Sequence, residues 1–446
     1  MGPGSRRRRR QALARPTATK ETHVLRTRGH SPAAPSVAAA YTEAPSAEAA
    51  YERLAQRFRP VFARIAEGAL AREQGRVLPF EQVRWLNDEG FGRLRVPTEH
   101  GGDGIGFEPF FRLLIELAEA DSSVAHLYRS HFAFVETVGL ESEDFRNRWY
   151  PKVVAGEIFG NAATEKSGNV LGTTGTKLTR HGGDWLLNGR KYYTTGTIFA
   201  EWIAVMASTE GVEGRQYAVV STTQPGVEIL DDWDGFGQQL TGTGTTIFRD
   251  AVVPDTNIIR RSESTTHEPA FFQLVLLAVL AGIGRAALAD ARTLVRDRKR
   301  TFNTGSGELF RHDPLILQLV GQLSAKVFAA ESVVLAAARE LDAGADQNLD
   351  LTPEQRYVRG EIAVEKAQLL VPELVQSAAQ QLFDVTGASA TSKSKSLDRH
   401  WRNARTVSTH NPAVFKARTV GDYEVNGTTP EGLHSIGDAR TAAQAG

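Results

Sequence analysis

Hydrophobic positions that recur every three or four residues predict helices in two separate parts of the chain. The first part contains AYERLAQRFRPVFARIAEGALARE, then FEQVRWLNDEGF after Pro79, then EPFFRLLIELAEADSSVAHLYRSHFAFVETVGL. Helical runs return from about Pro269, and three of them are long enough to form one member each of a bundle. We therefore expect an N-terminal helical bundle over residues 46–157 and a C-terminal four-helix bundle over residues 265–422.

Between the two helical regions the apolar period changes to two residues. Runs such as EWIAVMAST and RQYAVVSTT alternate apolar and polar positions, and Gly-Gly, Asn-Gly and Pro-Gly pairs separate the runs. This pattern predicts a middle antiparallel β domain over residues 158–264 and places the chain in the α+β class. The ends, residues 1–45 and 423–446, are predicted to be a disordered Arg-rich leader and a tail.

Composition narrows the function classes. The 446 residues include 52 basic and 52 acidic side chains, a balance that argues against a nucleic-acid or membrane surface and favours a small-molecule substrate. The absence of cysteine excludes disulfides, a thiolate nucleophile and cysteine metal ligands. The first 45 residues contain no apolar run long enough for a signal peptide or a membrane span, so we expect a cytoplasmic protein. The run of five arginines is interpreted as part of a solvated leader, with an RNA-binding arm as the alternative.

Three local motifs occur in an order that resembles the acyl-CoA dehydrogenase superfamily. They are GNAATE at residues 160–165, LNGRKYYTTG at residues 187–196 and RKRTF at residues 298–302. The succession of helical, β and helical regions agrees with that fold, and the resemblance extends over residues 47–422. It implies an acyl-CoA dehydrogenase-like architecture and a bound flavin.

The segment LDRHWRNARTVSTHNPAVFK, residues 397–416, departs from the dehydrogenase pattern. Acyl-CoA dehydrogenases usually carry here the glutamate that removes the substrate α-proton. This chain has His410 beside that place and no carboxylate between Asp398 and Asp422, which indicates a different reaction with acid–base chemistry nearer neutral pH. In this respect the chain resembles the flavin-dependent monooxygenase branch, which includes dibenzothiophene monooxygenases and sulfur-acquisition oxidoreductases.

The resemblance to this branch implies a two-component enzyme. A separate flavin reductase supplies reduced FMN, O2 adds to flavin C4a, and the hydroperoxide delivers one oxygen atom to a small, sulfur-containing substrate. FMN is preferred to FAD because the branch uses it. A homotetramer is expected by analogy, and because the apolar run LLAVLAGIGRAALA is one that a monomer could hardly cover. Two alternatives stay open: an acyl-CoA dehydrogenase whose base has moved to the helix near Glu268, and an N- or aromatic hydroxylase of the same fold.

Four residues are the predicted catalytic set by carry-over from the branch: His410, His131, Thr195 and Asn161. Asn161 and Thr195 would offer neutral hydrogen-bond partners to the flavin in a dry pocket without adding charge. His131 would be the second active-site histidine, with a core-filling role as the alternative. His126 lies on the same helix, but five residues correspond to a rotation of about 140 degrees, so the two histidines cannot share a metal ion. No metal site is expected.

The predicted cofactor contacts come from the same resemblance. Arg300 is chosen from the Arg298–Arg300 cluster because a guanidinium fits a phosphate bidentately, and in this fold it can serve a neighbouring subunit. Trp233 would form part of the pocket wall, with an ordinary core aromatic as the alternative. The full set of predicted flavin contacts is Asn161, Thr164, Thr195, Trp233, Arg300, Thr301 and Arg402.

Overall fold

The structure is a computed structural model that describes residues 47–166, 174–209, 212–259, 266–306 and 308–431. The predicted leader, residues 1–45, and the end of the predicted tail, residues 432–446, lie outside the described residues. Within the described ranges the chain forms a helical part, a β part and a second helical part, as the sequence predicts.

The N-terminal part consists of six helices, of which α1, α3, α4 and α5 share an aromatic core. Their apolar faces enclose buried rings, among them Phe58, Phe91, Phe110 and Phe132, which contact one another edge-on. The helices are α1 (Ala47–Glu67), α2 (Ala69–Gly75), α3 (Phe80–Asp88), α4 (Phe107–Ala120), α5 (Ser122–Gly139) and α6 (Glu143–Val154).

The middle part is one eight-stranded sheet. Its strands are β1 (Phe159–Ala162), β2 (Lys177–His181), β3 (Asp184–Lys191), β4 (Trp202–Thr209), β5 (Val212–Ser221), β6 (Val227–Ile229), β7 (Thr246–Val253) and β8 (Ile258–Ile259). The order is β6-β7-β3-β2-β4-β5-β8, and β1 pairs with β4. The prediction of a purely antiparallel sheet was wrong, because β1 and β2 both run parallel to β4. Alternation of apolar and polar residues reports which face is buried and carries no information on strand direction.

The C-terminal part is a bundle built around one buried helix. Its helices are α7 (Glu268–Asp297), α8 (Pro314–Ala345), α9 (Pro353–Thr386), α10 (Asp398–Ser408) and α11 (Ala413–Asn426). Helix α7 packs against α4 and α5 on one side and against α8, α9 and α10 on the other, so it joins the two helical parts. Helix α10 completes the four-helix arrangement, and α11 packs on α9.

The expectation that LLAVLAGIGRAALA needs an oligomer to cover it was wrong. This stretch lies in α7, and residues Leu276 to Gly284 are all buried within the single chain. Both α7 and α8 are long and apolar enough to cross a membrane, but 78 % of the apolar stretch of α7 is buried inside the protein. Helix α8 does have exposed apolar side chains, since Leu315, Leu317 and Phe328 are 66, 50 and 74 % exposed.

A close contact between α5 and the β part positions the candidate site. Gly196 follows the LNGRKYYTT stretch with φ of +78°, and a Cβ there would lie 2.6 Å from the Leu127 carbonyl oxygen of α5. Only glycine fits this approach and this backbone conformation without strain. The neighbouring Thr195 is thereby held against α5.

Candidate active site

Helix α5 begins at a fixed point because Asp121 caps it. The Asp121 carboxylate accepts hydrogen bonds from the amides of Ser123 and Val124 at 3.0 and 3.3 Å, which satisfies two donors of the first turn. Its other oxygen accepts a bond from the Arg72 guanidinium at 2.8 Å, and both side chains are buried. The rotational position of α5 is therefore determined at its first residue.

One face of α5 carries three polar side chains toward the β part and the C-terminal helices. His126, Arg129 and Ser130 are spaced three and four residues apart, which places them on one face. The Ser130 hydroxyl donates to the Thr195 carbonyl at 2.7 Å, and Arg129 Nε donates to the Phe272 carbonyl at 2.9 Å. This face joins the β part to α7.

Gln238 links His126 to α10 through a strained backbone. Gln238 has φ of +52°, a conformation that costs free energy in a residue with a side chain, and it is 1 % exposed. The backbone amide of Gln238 donates to Asn403 Oδ1 at 2.6 Å, and its side-chain oxygen lies 3.0 Å from His126 Nδ1. The Gln238 side-chain nitrogen donates to the Ser122 hydroxyl at 3.1 Å. Because the side-chain oxygen of Gln238 can only accept, Nδ1 of His126 carries the proton.

A chain of hydrogen-bonded threonine hydroxyls connects Thr195 to Gln238. Thr195 Oγ1 lies 2.8 Å from Thr243 Oγ1, which lies 2.7 Å from Thr241 Oγ1, and the Thr241 hydroxyl donates to the Gln238 carbonyl at 3.0 Å. Thr241 and Thr243 are buried, and Thr195 is half-buried. The network is electrically neutral and ends at the hydroxyl that the sequence predicted.

Asn161 presents a buried polar atom that no protein group satisfies. Its Oδ1 is buried and has no hydrogen-bond partner in the described ranges, and such an atom costs about 1–3 kcal/mol unless a ligand pairs with it. Asn161 lies on β1, which is anchored by the bond from the Thr197 hydroxyl to the Asn161 carbonyl at 3.4 Å. A flavin, whose ring carries N–H donors, fits this acceptor.

His410 faces a cavity of about 800 Å³ between α7, α9 and α11. The segment that carries it is held by its neighbour Asn411, whose carbonyl accepts from Gln368 Nε2 at 2.8 Å and whose Nδ2 donates to Gln273 Oε1 at 2.7 Å. Arg129 lines the same cavity. Thr195 and Asn161 are not among its lining residues. Helix α5 contacts both places, because Arg129 lines the cavity and Ser130 bonds to the Thr195 carbonyl.

The pKa of His410 lies below that of an ordinary imidazole. Although its ring opens onto the cavity, desolvation by the surrounding protein lowers its pKa to about 3, and the nearby Arg129 and His126 lower it further against a hydrogen bond with Asn411. Burial likewise lowers the pKa of His126 to about 4. With lowered pKa values, both imidazoles can donate or accept a hydrogen bond without carrying a charge, and acid–base chemistry nearer neutral pH stays a prediction.

His131 lies in the core rather than beside His410. It is 0 % exposed, its Nε2 donates to the Gly92 carbonyl at 2.8 Å, and its Nδ1 accepts from the Phe159 amide at 3.3 Å. Burial lowers its pKa to about 4. Both ring nitrogens are therefore occupied by backbone groups, which is the core-filling alternative. The histidine that approaches His410 is His126.

Three predicted cofactor contacts have other partners within the chain. Trp233 Nε1 donates to the Gly237 carbonyl at 3.0 Å, and the ring packs beside Tyr192 and Tyr193. Arg402 donates to the Phe236 carbonyl at 2.7 Å and forms ion pairs with two carboxylates. Thr164 is exposed, and its carbonyl accepts the Tyr192 amide at 3.0 Å. Their roles toward a flavin remain predictions.

Arg300 and Thr301 lie at the far end of α7 from the cavity. Pro269, at the start of α7, lines the cavity, and the 30 residues of this helix extend over about 45 Å at 1.5 Å per residue. Arg300 is exposed, and Nη2 lies 3.5 Å from Asn303 Oδ1. These two residues can therefore contact a flavin bound near His410 only if that flavin is bound by another copy of the chain.

Glu268 is not placed to act as a relocated base. It is 2 % exposed, and its carboxylate accepts from the hydroxyls of Thr137 at 2.6 Å and Thr266 at 3.0 Å. The cavity is lined by the next residue, Pro269, and Glu268 is absent from its lining. This arrangement disfavours the dehydrogenase alternative that depends on Glu268.

Sequence reasoning missed several polar residues of the site, and only some of them carry a signal. His126 and Arg129 could have been found from their three-residue spacing on one helix face. Gln238 and Thr243 stand in the irregular segment GFGQQLTGTG, whose pattern predicts no contact. Glu361 and Glu365, which also line the cavity, are spaced as an ordinary polar face of a helix.

Comparison with known proteins places these observations in a family. Residues 48–157, 161–251 and 274–414 match the N-terminal, middle and C-terminal domains of acyl-CoA dehydrogenase. A probable FMNH2-dependent monooxygenase SfnC from Pseudomonas putida is 26 % identical over 381 residues, which cover 83 % of this chain and 94 % of that protein. A dibenzothiophene monooxygenase from Rhodococcus qingshengii is 27 % identical over 365 residues, covering 77 % of this chain and 86 % of that protein.

Among solved structures, FMN-bound TdsC from Paenibacillus sp. A11-2 superposes with a TM-score of 0.80. It is 26 % identical, and the match covers 86 % of this chain and 99 % of that one. The three consecutive domain matches together span well over half of the sequence and follow the three structural parts described above. The chain belongs to the acyl-CoA dehydrogenase family.

Proposed function

We propose that this protein is the oxygenase of a two-component flavin-dependent monooxygenase that inserts one oxygen atom of O2 into a small, sulfur-containing substrate. A separate flavin reductase would supply the reduced FMN. The observation that carries the proposal is the buried Asn161 Oδ1, which has no hydrogen-bond partner among the described residues. FMN is preferred to FAD because SfnC is named FMNH2-dependent and TdsC is FMN-bound.

The chain's own residues would serve this reaction by holding a dry, neutral environment. Reduced FMN, when bound, supplies the activation of O2 and the transfer of one oxygen atom. Thr195 would present its hydroxyl to the flavin, held in place by Thr243 and by the bond from Ser130 to its carbonyl. His410, neutral at physiological pH, would offer a hydrogen bond from the cavity side without introducing a charge.

The missing dehydrogenase glutamate supports an oxygenase over a dehydrogenase. A base for an acyl-CoA α-proton needs a carboxylate within reach of that proton, and the segment after α10 offers His410 and Asn411 in its place. Glu365, which lines the same cavity, is bonded to Lys416 at 2.6 Å. We therefore rank the dehydrogenase second.

The assembly and location form part of the proposal. We propose a homotetramer, because it would cover the exposed Leu315, Leu317 and Phe328 of α8 and would bring Arg300 of one copy to the flavin of another. We also propose a cytoplasmic location, where a reductase can deliver reduced FMN.

The proposal is tested with the full chain, FMN, NADH, a generic flavin reductase and 18O2. Thioethers, sulfoxides and sulfones are screened for incorporation of one labelled oxygen atom. His410→Ala should bind FMN within about twofold of the unmodified protein but form product on the order of 100-fold more slowly, with more hydrogen peroxide released. His312→Ala is the matched control, because His312 is exposed and outside the cavity lining.

Two outcomes contradict the proposal. Product formation that is unchanged in His410→Ala removes His410 from the reaction. Anaerobic oxidation of acyl-CoA with a dye as electron acceptor, without label incorporation into any substrate, establishes the dehydrogenase instead.

A further inference from the structure

Three acceptor atoms in one wall of the cavity have no hydrogen-bond donor. Glu361 Oε2, Glu365 Oε2 and Gln368 Oε1 are buried and unpartnered within the described part of the chain. These side chains are 5, 2 and 2 % exposed, and all three residues line the cavity that His410 faces. Because they are four and three residues apart on α9, they share one helix face. We call Glu361, Glu365 and Gln368, together with Lys416, the acidic wall.

The side-chain amide of Gln368 indicates a missing hydrogen-bond donor independently of the two carboxylates. Its Nε2 donates to the Asn411 carbonyl at 2.8 Å, and a carbonyl can only accept, so this bond fixes the orientation of the amide. Oε1 is consequently an acceptor turned away from Asn411. A buried acceptor is nearly always paired in native proteins, and this one lacks a donor among the described residues.

The acidic wall carries an excess of negative charge. Lys416 Nζ lies 2.6 Å from Glu365 Oε1 and 3.6 Å from Glu361 Oε1, so a single ammonium group serves two carboxylates. An uncompensated buried charge is strongly unfavourable. Burial accordingly raises the pKa of Glu361 to about 7, against the opposing effect of Lys416 and with a further increase from Glu365. Without a second cation, Glu361 holds a proton more readily than an exposed carboxyl group does.

The other charges of the cavity do not neutralise this wall. Arg418 and Glu431 are exposed and Asp422 is half-buried, so solvent screens them at the outer part of the cavity. Arg129 is near His410, whose pKa it lowers. The unscreened negative charge is therefore confined to α9.

We propose that the acidic wall binds a protonated amine carried by the substrate. An ammonium group donates three hydrogen bonds and supplies the missing positive charge, whereas an alcohol donates one bond and no charge. A substrate anion would be repelled from this wall. Seven residues separate Gln368 from Glu361, which is about 10 Å along α9. Gln368, which bonds to Asn411, is the end of the acidic wall nearest His410, so the amine binds up to about 10 Å from Asn411 along α9.

This inference rests on the proposed function and names the substrate class for it. The substrate has an oxidisable atom at the His410 end and a cationic nitrogen at the α9 end. The acidic wall would act in binding and would take no part in oxygen transfer. Binding can therefore be measured apart from activity.

The test uses ω-(methylthio)alkylamines with three to six methylene groups, each matched by the alcohol and the carboxylate of the same length. Binding to the FMN-loaded full chain is measured by calorimetry at pH 8, where Glu361 is largely ionised. We expect at least one amine to bind ten or more times tighter than its alcohol, and the carboxylates to bind more weakly than the alcohols. Glu365→Gln should reduce this preference to below threefold.

Two further variants keep the result interpretable. Lys416→Met should tighten amine binding severalfold, since it removes the competing cation. Glu373→Gln, an exposed glutamate of the same helix outside the cavity lining, should leave the preference unchanged. Equal binding of amines and alcohols, no measurable binding of any amine, or a preference that persists in both Glu365→Gln and Glu361→Gln overturns the inference.

The two proposals fail in different ways. If amines bind with the expected preference but 18O2 labels no product, the acidic wall is retained and the oxygenase proposal falls. If simple sulfides are oxygenated while amines show no preference, the oxygenase stands and the amine subsite is rejected.

Discussion

The surroundings of His126 and His131 differ sharply although both histidines lie on α5 and burial lowers the pKa of each to about 4. His131 is bonded at both ring nitrogens to backbone groups, the Gly92 carbonyl and the Phe159 amide. His126 is bonded at Nδ1 to the Gln238 side chain, and among the described residues its Nε2 has no protein hydrogen bond. One histidine thus holds the fold together and the other has a ring nitrogen left for a ligand.

The difference teaches that burial and a lowered pKa do not by themselves identify a functional histidine. Five residues on a helix turn a side chain by about 140 degrees, so one histidine points into the aromatic core and the other toward the β part. What separates them is whether the second ring nitrogen is satisfied. The predictions below test this separation.

The largest effect is expected for His131→Ala, on stability. The change leaves a cavity beside Tyr128 and Phe132 and two buried backbone groups without partners, which should lower the free energy of unfolding by about 4 kcal/mol. Denaturant unfolding measures this loss. Oxygenation per folded molecule should stay within about threefold. A loss of activity without a loss of stability would show that His131 acts in the active site rather than in the core.

A smaller effect is expected on the pH dependence of stability. The folded-state pKa of His131 lies below the ordinary value of about 6.5, so the unfolded chain binds a proton between pH 6.5 and 4 that the folded chain does not. Stability is therefore full above pH 6.5 and is lost as pH falls toward 4. His131→Phe should reduce the drop in unfolding free energy between pH 7 and pH 5 by roughly 2 kcal/mol.

The control for this measurement is His312→Ala, whose drop between pH 7 and pH 5 should match that of the unmodified protein. An unchanged drop in His131→Phe would mean that His131 is protonated in the folded state at pH 5. The close bond from the Phe159 amide to Nδ1 would then need another explanation.

The smallest effect is expected for His126→Phe. It concerns the share of consumed O2 that ends in oxygenated product rather than in hydrogen peroxide. The ring volume is largely kept, while the Nδ1 bond to Gln238 and the available Nε2 are lost. We expect the ratio of oxygenated product to hydrogen peroxide to fall about tenfold, and the unfolding free energy to change by about 1 kcal/mol. Product and peroxide are measured in the same reaction. If His131→Phe uncouples the reaction more than His126→Phe does, the assignment of the two histidines is reversed.

Much of the fold could be predicted because the apolar periods of helices and strands can be recognised within short stretches of sequence. The three-part architecture and the four-helix arrangement are confirmed by the structure and by the domain matches. Strand direction could not be predicted, since β1 and β2 have the same alternation whether they run parallel or antiparallel to β4. The prediction that another copy of the chain covers α7 was also wrong. The sequence of an apolar helix is the same whether its own chain or another copy buries it.

The site was predictable only where a motif marks it. The motifs GNAATE, LNGRKYYTTG and THNP point to Asn161, Thr195 and His410 by resemblance. His131 was also chosen by resemblance. The sequence gives the angle between His126 and His131 on a helix but not which neighbour each one meets. Acid–base chemistry at His410 came from the same resemblance and stays a prediction, while the surrounding protein lowers the pKa of His410 to about 3.

The sequence by itself determined the order of the three parts, the family and the absence of a carboxylate between Asp398 and Asp422. Those properties depend on residue type and local spacing. Only the tertiary structure decided that Gln238 connects His126 to Asn403, and that Glu361, Glu365 and Gln368 each have one buried oxygen without a donor among the described residues in the lining of one cavity. It also decided that Arg300 lies beyond the end of α7 opposite to Pro269. Hydrogen-bond satisfaction and desolvation depend on groups that are distant in the chain, and folding alone brings those groups together.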